Sequence, residues 1–169
     1  QTCALPISLL VTVNPEDFSV SGPLGGICLQ EAIERAAFNS GVNALSALTG
    51  EIATPYSAPI QLVGDFLQKK PSVKLGTVEV TITPDYHYVD FNEILPEFMS
   101  CALREALPLL GRQIKGFDRD DAVLTGVETR SSSPVRILRN ENWESISHKG
   151  LYAIGEGAGY AGEIGRAHV

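Results

Sequence analysis

A glycine-rich segment near the end of the chain constrains its fold more than any other feature. Residues 155–162 read Gly-Glu-Gly-Ala-Gly-Tyr-Ala-Gly, and the apolar stretch 151–154 comes directly before them. Glycines permit a sharp turn and let a ligand approach the backbone closely. A helix that begins at such a turn points free N–H groups at an anion. The pattern predicts a buried strand at 151–154 leading into a turn, which either holds a ligand or is purely structural.

Three of these glycines also fit a dinucleotide-binding fingerprint. Gly157, Gly159 and Gly162 have the spacing G-x-G-x-x-G. This spacing is specific only inside a βαβ unit that carries an acidic residue about twenty positions downstream. The sequence does not extend that far, so an ordinary dinucleotide site stays open as an alternative.

Composition and charge exclude several classes of protein. Of the 169 residues, 44% are apolar and 20% are charged, which suits one globular domain or part of a larger one. A net charge of −7 without a basic cluster argues against a nucleic-acid-binding face. No apolar run is long enough to span a membrane. The three cysteines are widely spaced and form neither a disulfide framework nor a zinc site, so we expect a cytoplasmic protein without a metal.

The two ends of the chain are predicted to be non-native. Residues 164–169 can be back-translated into a DNA sequence. The reverse complement of that DNA, read in a shifted frame, encodes Thr-Cys-Ala-Leu-Pro, which is the sequence of residues 2–6. We interpret residues 1–7 and 164–169 as one sequencing adapter read on opposite strands. Such segments must be set aside before the fold is considered. We therefore expect the native part to be a fragment of a longer protein.

Local patterns predict a mixture of helices and strands. Apolar positions at helical spacing predict a helix over 24–40, ended by Gly41. A second helix is predicted over 95–115, capped by Asn92 and kinked or split at Pro108. Runs of β-branched residues and alternating polarity predict strands at 9–13, 60–63 (followed by a helical turn at 64–67), 77–83, 121–130 and 135–139.

A second segment with candidate chemistry lies at residues 125–136, which read Thr-Gly-Val-Glu-Thr-Arg-Ser-Ser-Ser-Pro-Val-Arg. Arg130 stands among hydroxyl groups there, and a guanidinium in such a setting is a candidate site for an anion or a carbonyl. The alternative is a polar loop in which Glu128 and Arg130 pair locally. Elsewhere, His87 stands between two tyrosines and is interpreted as a packed or surface histidine rather than a metal ligand.

Taken together, these segments resemble a known family. The chain is similar to the C-terminal region of bacterial FAD-dependent dehydrogenases of unassigned substrate. The resemblance extends over nearly all of residues 8–162. Its most specific motifs are at 126–130, 132–137, 150–152 and 155–162, and further motifs are at 22–24, 58–59, 61–67 and 103–108.

The resemblance implies an α+β fold that is part of a two-dinucleotide-domain flavoprotein. Residues 8–120 would form an inserted substrate-side domain, and residues 121–163 would return to the FAD-binding α/β domain with its last strand and glycine turn. The resemblance further implies FAD contacts at Gly155, Glu156, Gly157, Ala158 and Gly159. Candidates for the flavin or substrate side are Thr129, Arg130 and Ser132.

The function implied by the resemblance is that of an FAD-dependent oxidoreductase, in which hydride transfer takes place at the flavin. NAD(P)H is a candidate electron donor, and the substrate is a small molecule that the sequence does not identify. No membrane or nucleic-acid partner is expected, no catalytic acid or base can be named, and the fragment alone is expected to be inactive. The alternative is a protein in which FAD is structural and which serves as a scaffold for interactions or RNA modification.

Overall fold

The computed structural model describes residues 8–18, 20, 22–49 and 56–160. Both predicted adapter segments, 1–7 and 164–169, lie outside these residues, as does Gly162. The chain divides into two compact units. One consists of Arg35–Val127 with the chain up to Val13, and the other of Asn14–Glu34 with Glu128–Val169.

The elements form a small mixed α+β structure, which confirms the predicted fold class at that level. Helices are α1 (Gly25–Thr49), α2 (Val63–Leu67), α3 (Phe91–Ile94) and α4 (Glu97–Gln113). Strands are β1 (Ala58–Leu62), β2 (Tyr86–Tyr88) and β3 (Val123–Thr125). Two 3₁₀ turns lie at Pro15–Asp17 and Glu156–Ala158.

The three strands form one sheet in the order β2-β1-β3. The central strand β1 runs parallel to β2, with Ala58 opposite Tyr86, and antiparallel to β3, with Gln61 opposite Leu124. The apolar segment 60–67 was predicted to form a strand at 60–63 and a helical turn at 64–67. The structure has β1 and α2 at these places, and both predictions are confirmed. Because β1 is paired on both sides, its residues are the most buried of the sheet.

The core of the first unit forms where α2, α3 and α4 pack together. Its buried members are Val63, Phe66, Val89, Phe91 and Leu107, and Phe66 is fully buried. The partly buried side chains of Leu9, Leu103 and Leu124 are among those that pack against this cluster. Burial of these apolar side chains is the main contribution that holds the unit together.

The predicted helix over 95–115 is confirmed as α4, with two differences. Pro108 lies inside a continuous helix and does not divide it. Asp90, rather than Asn92, provides a cap, because its side chain accepts a hydrogen bond from the Asn92 N–H and thereby starts α3. The short helix α3 then ends before Pro96, which begins α4.

The helix predicted over 24–40 is confirmed as α1, but Gly41 does not end it. α1 continues to Thr49, and Gly41 is buried inside it. A side chain at position 41 would place its Cβ 3.1 Å from the His87 ring. The glycine therefore serves the close approach of α1 to β2 and is not a stop signal.

Several predicted strands are wrong. The segments 9–13, 77–83, 135–139 and 151–154 contain no strand, and only Val123–Thr125 of 121–130 is one. A strand requires a partner that completes its hydrogen bonds, and local alternation cannot indicate whether one is present. At 77–83, the apolar side chains are half-buried without a partner strand. The strand β2 lies further on, at the tyrosines that flank His87.

Gln61 is a fully buried polar side chain in the central strand. Its Oε1 accepts the Phe91 N–H at 2.7 Å, and its Nε2 donates to the Lys70 carbonyl at 2.8 Å. Replacing Gln61 by leucine leaves the buried Phe91 N–H without an acceptor. We expect the free energy of unfolding to fall by about 1–3 kcal/mol. Urea unfolding measures this change, and Gln68→Leu at an exposed position is the matched control, with an expected change below about 0.5 kcal/mol.

No helix within the described ranges is both long enough and apolar enough to cross a membrane.

Candidate functional site

The glycine-rich segment forms a compact turn that its own backbone closes. Gly155 has φ 79° and ψ −173°, a conformation that side chains rarely permit, and it leads into the 3₁₀ turn Glu156–Ala158. Gly159 ends the turn in the left-handed region with φ 81°. The Gly159 N–H donates to the Glu156 carbonyl at 2.8 Å, and the Tyr160 N–H donates to the Gly155 carbonyl at 3.2 Å. The turn is therefore a fixed structural element.

One side of this turn is packed against residues 133–137. Ala158 is buried, and its carbonyl accepts the Ile137 N–H at 3.1 Å. The Ser133 hydroxyl shares its proton between the Val135 carbonyl at 2.9 Å and the Gly157 carbonyl at 3.2 Å. A Cβ at Gly159 would lie 2.6 Å from the Val135 carbonyl oxygen, which is too close for any side chain. Gly159 is therefore explained by the fold alone.

On its other side, the turn is not covered by any of the described residues. A Cβ at Gly155 or at Gly157 would meet no atom of the described residues within 4 Å. Gly155 still requires glycine because of its positive φ. Gly157 has neither a positive φ nor a close neighbour, so the described fold gives no reason for glycine there. What its missing side chain provides is room for another group to reach the backbone.

Two residues of the second predicted cluster, Thr129 and Arg130, form hydrogen bonds to a residue of α1. The Arg130 guanidinium donates two hydrogen bonds of 2.8 Å to the Glu34 carboxylate, and the Thr129 hydroxyl donates to the same carboxylate at 2.5 Å. The hydrogen bonds from Arg130 and Thr129 lower the pKa of Glu34, and Glu34 in turn raises the pKa of Arg130. The predicted local pairing of Glu128 with Arg130 is therefore wrong, because the partner of Arg130 is Glu34, which lies 96 residues away in the sequence.

The five predicted FAD contacts lie together in the turn, whereas Thr129 and Arg130 engage Glu34. Ser132 is exposed, and the neighbouring Ser133 is the serine that bonds the turn. Sequence reasoning missed Ser133 and Glu34. The serine run at 131–133 contained the signal for the first, but nothing local distinguished one serine from the next.

His87 is a packed histidine, as predicted. It is buried, with its Nε2 2.9 Å from the Ser40 hydroxyl and its Nδ1 2.8 Å from the Ser57 hydroxyl. The Ser40 hydroxyl donates its proton to the Ala37 carbonyl, so the neutral ring must donate from Nε2 and accept at Nδ1. Within the described segments, no group of three or more His, Cys, Asp or Glu side chains is arranged to hold a metal ion.

The stability of the first unit should depend on pH through His87. Burial lowers the pKa of His87 below its ordinary value of 6.5, although Asp85 opposes the shift. Below about pH 6.5 the unfolded chain binds a proton that native His87 does not, so the free energy of unfolding should fall until the native ring is also protonated. Urea unfolding between neutral and acidic pH measures this slope. His87→Gln should flatten it.

Comparison with known proteins identifies a family and a relative to which the chain is similar. A family described as "FAD-dependent protein, C-terminal domain-like" matches residues 7–131, a range that ends before the glycine turn. A protein of Clostridium beijerinckii that is described only as uncharacterized is 45% identical over 157 residues. That alignment covers 93% of this chain but 27% of the relative, so the chain spans about a quarter of the relative's length.

Proposed function

The chain belongs to this family of FAD-dependent proteins, and from that premise we propose that it is the C-terminal part of a longer flavoprotein with oxidoreductase activity. In this proposal the glycine turn contacts FAD, and the first unit lies on the substrate side. NAD(P)H is the proposed electron donor. The substrate is proposed only as a small molecule.

The observation that carries the proposal is the two-sided turn. Its packed side is held by residues 133–137, and its open side leaves the backbone at Gly155 and Gly157 accessible. A rigid backbone with an open face can present N–H donors to an anionic or carbonyl group without reorganising. These features fit a cofactor that carries a pyrophosphate and the carbonyl groups of a flavin ring.

FAD, when bound, would supply two-electron redox chemistry at its ring system. The proposed task of the chain is to orient the cofactor at Gly155–Gly159, with Glu156 as a carboxylate contact. Thr129, Arg130 and Ser132 are proposed for the flavin or substrate side. Since Glu34 holds the first two, their polar groups are fixed in position.

Exposed apolar side chains before the turn also support a longer protein. The exposed fractions of Leu151, Tyr152 and Ile154 are 45%, 59% and 77%. Contiguous apolar side chains on a surface commonly mark a contact with another part of a protein. We propose that the rest of the FAD-binding domain covers them.

Substitutions at two glycines of the turn should separate an effect on FAD binding from an effect on the stability of the fold. In the longer protein, Gly157→Val should weaken FAD binding by about tenfold or more, because a side chain would block the open face. It should change the free energy of unfolding by less than about 0.5 kcal/mol. Gly159→Ala should instead lower that free energy by at least about 1–2 kcal/mol, because its φ is positive and its Cβ meets Val135. FAD titration of the stripped protein, together with urea unfolding, measures both.

Glu156 provides a second arm of the same titration. Glu156→Ala should weaken FAD binding by about 1–3 kcal/mol, the range for leaving a buried polar group unpaired. Glu156→Asp should have a smaller effect, because the carboxylate is retained. If neither Gly157→Val nor Glu156→Ala changes FAD affinity, the turn is not part of the cofactor site.

A further inference from the structure

A cavity of about 380 Å³ opens on the second unit. Its lining combines cationic, aromatic and acidic side chains: Arg136, Arg139, Trp143, Tyr160 and Glu141. Among the described residues that line it, none belongs to the glycine turn 155–159, so the cavity is separate from the face that we propose for FAD. Small-molecule sites commonly have volumes of about 300–1,000 Å³. The cavity is therefore large enough for a ligand of its own.

Two guanidinium groups lie over the same aromatic ring at this cavity. Those of Arg139 and Arg136 are 3.4 Å and 4.5 Å from the centre of the Tyr160 ring. Neither takes part in any of the ion pairs among the described residues. Two positive charges held this close repel each other, and an anion beside them would relieve the repulsion. The cavity is therefore suited to an anionic group.

The two arginines are not equally available to that group. The Arg139 guanidinium packs between Tyr160 and Trp143, whose ring centre lies 4.6 Å away, and it donates to the Ala153 carbonyl at 2.9 Å. Arg136 is exposed and has no carboxylate partner among the described residues. Its planar guanidinium can therefore take a carboxylate through two parallel hydrogen bonds.

Trp143 has an unusual backbone for its size. Its φ is 64°, in the left-handed region that bulky residues seldom occupy, and 63% of the residue is exposed. The loop around it is well bonded, because the Asn140 side chain accepts the N–H groups of Asn142 and Glu144 and the Asn140 carbonyl accepts the Trp143 N–H. A strained conformation that its surroundings enforce is a pointer to function. Here it leaves an indole ring against which another aromatic ring can pack.

Glu141 narrows the class of anion. It is exposed at the cavity and belongs to none of the ion pairs that the described residues form. A carboxylate in this place repels a ligand with several negative charges, such as a polyphosphate, and attracts an ammonium group. Because Arg139 is engaged by the two rings, one cation and one anion remain for the ligand. The complementary ligand carries one carboxylate and one ammonium group.

We propose that this cavity binds a free aromatic amino acid. The Arg136 guanidinium pairs with the α-carboxylate, Glu141 pairs with the α-ammonium group, and the aromatic side chain packs against Trp143. The proposal goes beyond the flavoprotein function proposed above and does not depend on it.

The test uses Trp143, the single tryptophan of the chain, as the reporter. The 169-residue chain is titrated with phenylalanine, with 3-phenylpropionate, which lacks the ammonium group, and with phenethylamine, which lacks the carboxylate. Tryptophan fluorescence follows binding, and calorimetry repeats each titration. Phenylalanine should give a saturable change and bind more tightly than 3-phenylpropionate by about threefold, the size of one exposed ion pair. Phenethylamine should bind most weakly.

Substitutions at three positions separate the contacts. Arg136→Ala should weaken phenylalanine binding by about tenfold or more, and Arg136→Lys by less, because lysine keeps the charge but not the paired hydrogen bonds. Glu141→Gln should remove the preference for phenylalanine over 3-phenylpropionate. Trp143→Gly should abolish the binding measured by calorimetry while relieving the backbone at that position. Arg112→Ala, at an exposed position in the last turn of α4, is the matched control and should have no effect.

Several outcomes would overturn the proposal. One is the absence of saturable phenylalanine binding, and another is binding that Arg136→Ala leaves unchanged. So would equal affinity for phenylalanine and 3-phenylpropionate, or tighter binding of ADP, titrated in parallel, than of phenylalanine. Circular dichroism and urea unfolding of each variant distinguish a loss of binding from a loss of folding. No titration contains flavin, and the flavin content of the longer protein is measured separately, so failure here is distinguishable from failure of the proposed function.

Discussion

Replacing Phe66 by alanine should lower the free energy of unfolding by about 3–5 kcal/mol, the range for truncating a buried phenylalanine. Phe66 is fully buried at the centre of the cluster that joins α2 to α3 and α4. Its ring also faces the Arg104 guanidinium at 5.9 Å. Truncation would remove the apolar contact and leave a cavity that the surrounding helices can fill only in part. Denaturant unfolding followed by circular dichroism measures the change.

The matched control for Phe66 is Phe38, which lies on α1 and is 48% exposed. Phe38→Ala should change the free energy of unfolding by less than about 1 kcal/mol, since a surface truncation leaves no cavity. Equal effects of the two substitutions would contradict the described core. So would a Phe66→Ala protein that unfolds at the same denaturant concentration as the unaltered chain.

The second large effect is expected in α4. Leu107 is 1% exposed and belongs to the same core cluster, whereas Leu109, two residues further along the helix, is 53% exposed. Leu107→Ala should lower the free energy of unfolding by about 2–5 kcal/mol. Leu109→Ala should lower it by less than about 0.5 kcal/mol. The same unfolding experiment checks both, and a reversed order would show that α4 packs through a different face.

α4 also illustrates what a sequence can predict. Its apolar stripe repeats at helical spacing within one continuous segment, so the pattern and the structure it encodes are both local. The strand and helical turn at 60–67 could also be predicted, because they too are formed by one continuous segment. The most buried leucine of α4, Leu107, was not part of the predicted stripe. Leu103 and Leu107 lie on one face, and only the neighbouring elements decide which of them is covered.

The strands show the limit of such reasoning. The alternation at 77–83 predicted a strand, but no other part of the described sheet pairs with it. The stretch 151–154 is as apolar as a buried strand, and its side chains are nevertheless largely exposed here. In both cases the local pattern records apolar side chains, and whether another segment pairs with them depends on contacts that the local sequence does not contain.

The candidate site likewise has some features that the local sequence predicts and others that depend on distant contacts. The sharp turn at 155–159 was predictable, because glycine density is a local signal for it. The groups that hold the turn from 133–137, and the Glu34 that binds Arg130, depend on contacts between distant segments. The distinction between Gly157 and Gly159 is also invisible in the sequence, since it depends on whether a carbonyl lies beside the Cβ position.

The flavin content of the longer protein decides whether this chain is part of a flavoprotein. The protein is purified without added flavin and denatured, and the released compound is identified and counted per chain. We expect a yellow protein that releases FAD in an amount close to one molecule per chain, whereas the 169-residue chain alone should be colourless. A longer protein that is colourless and binds no added FAD would show that this chain does not belong to a flavoprotein.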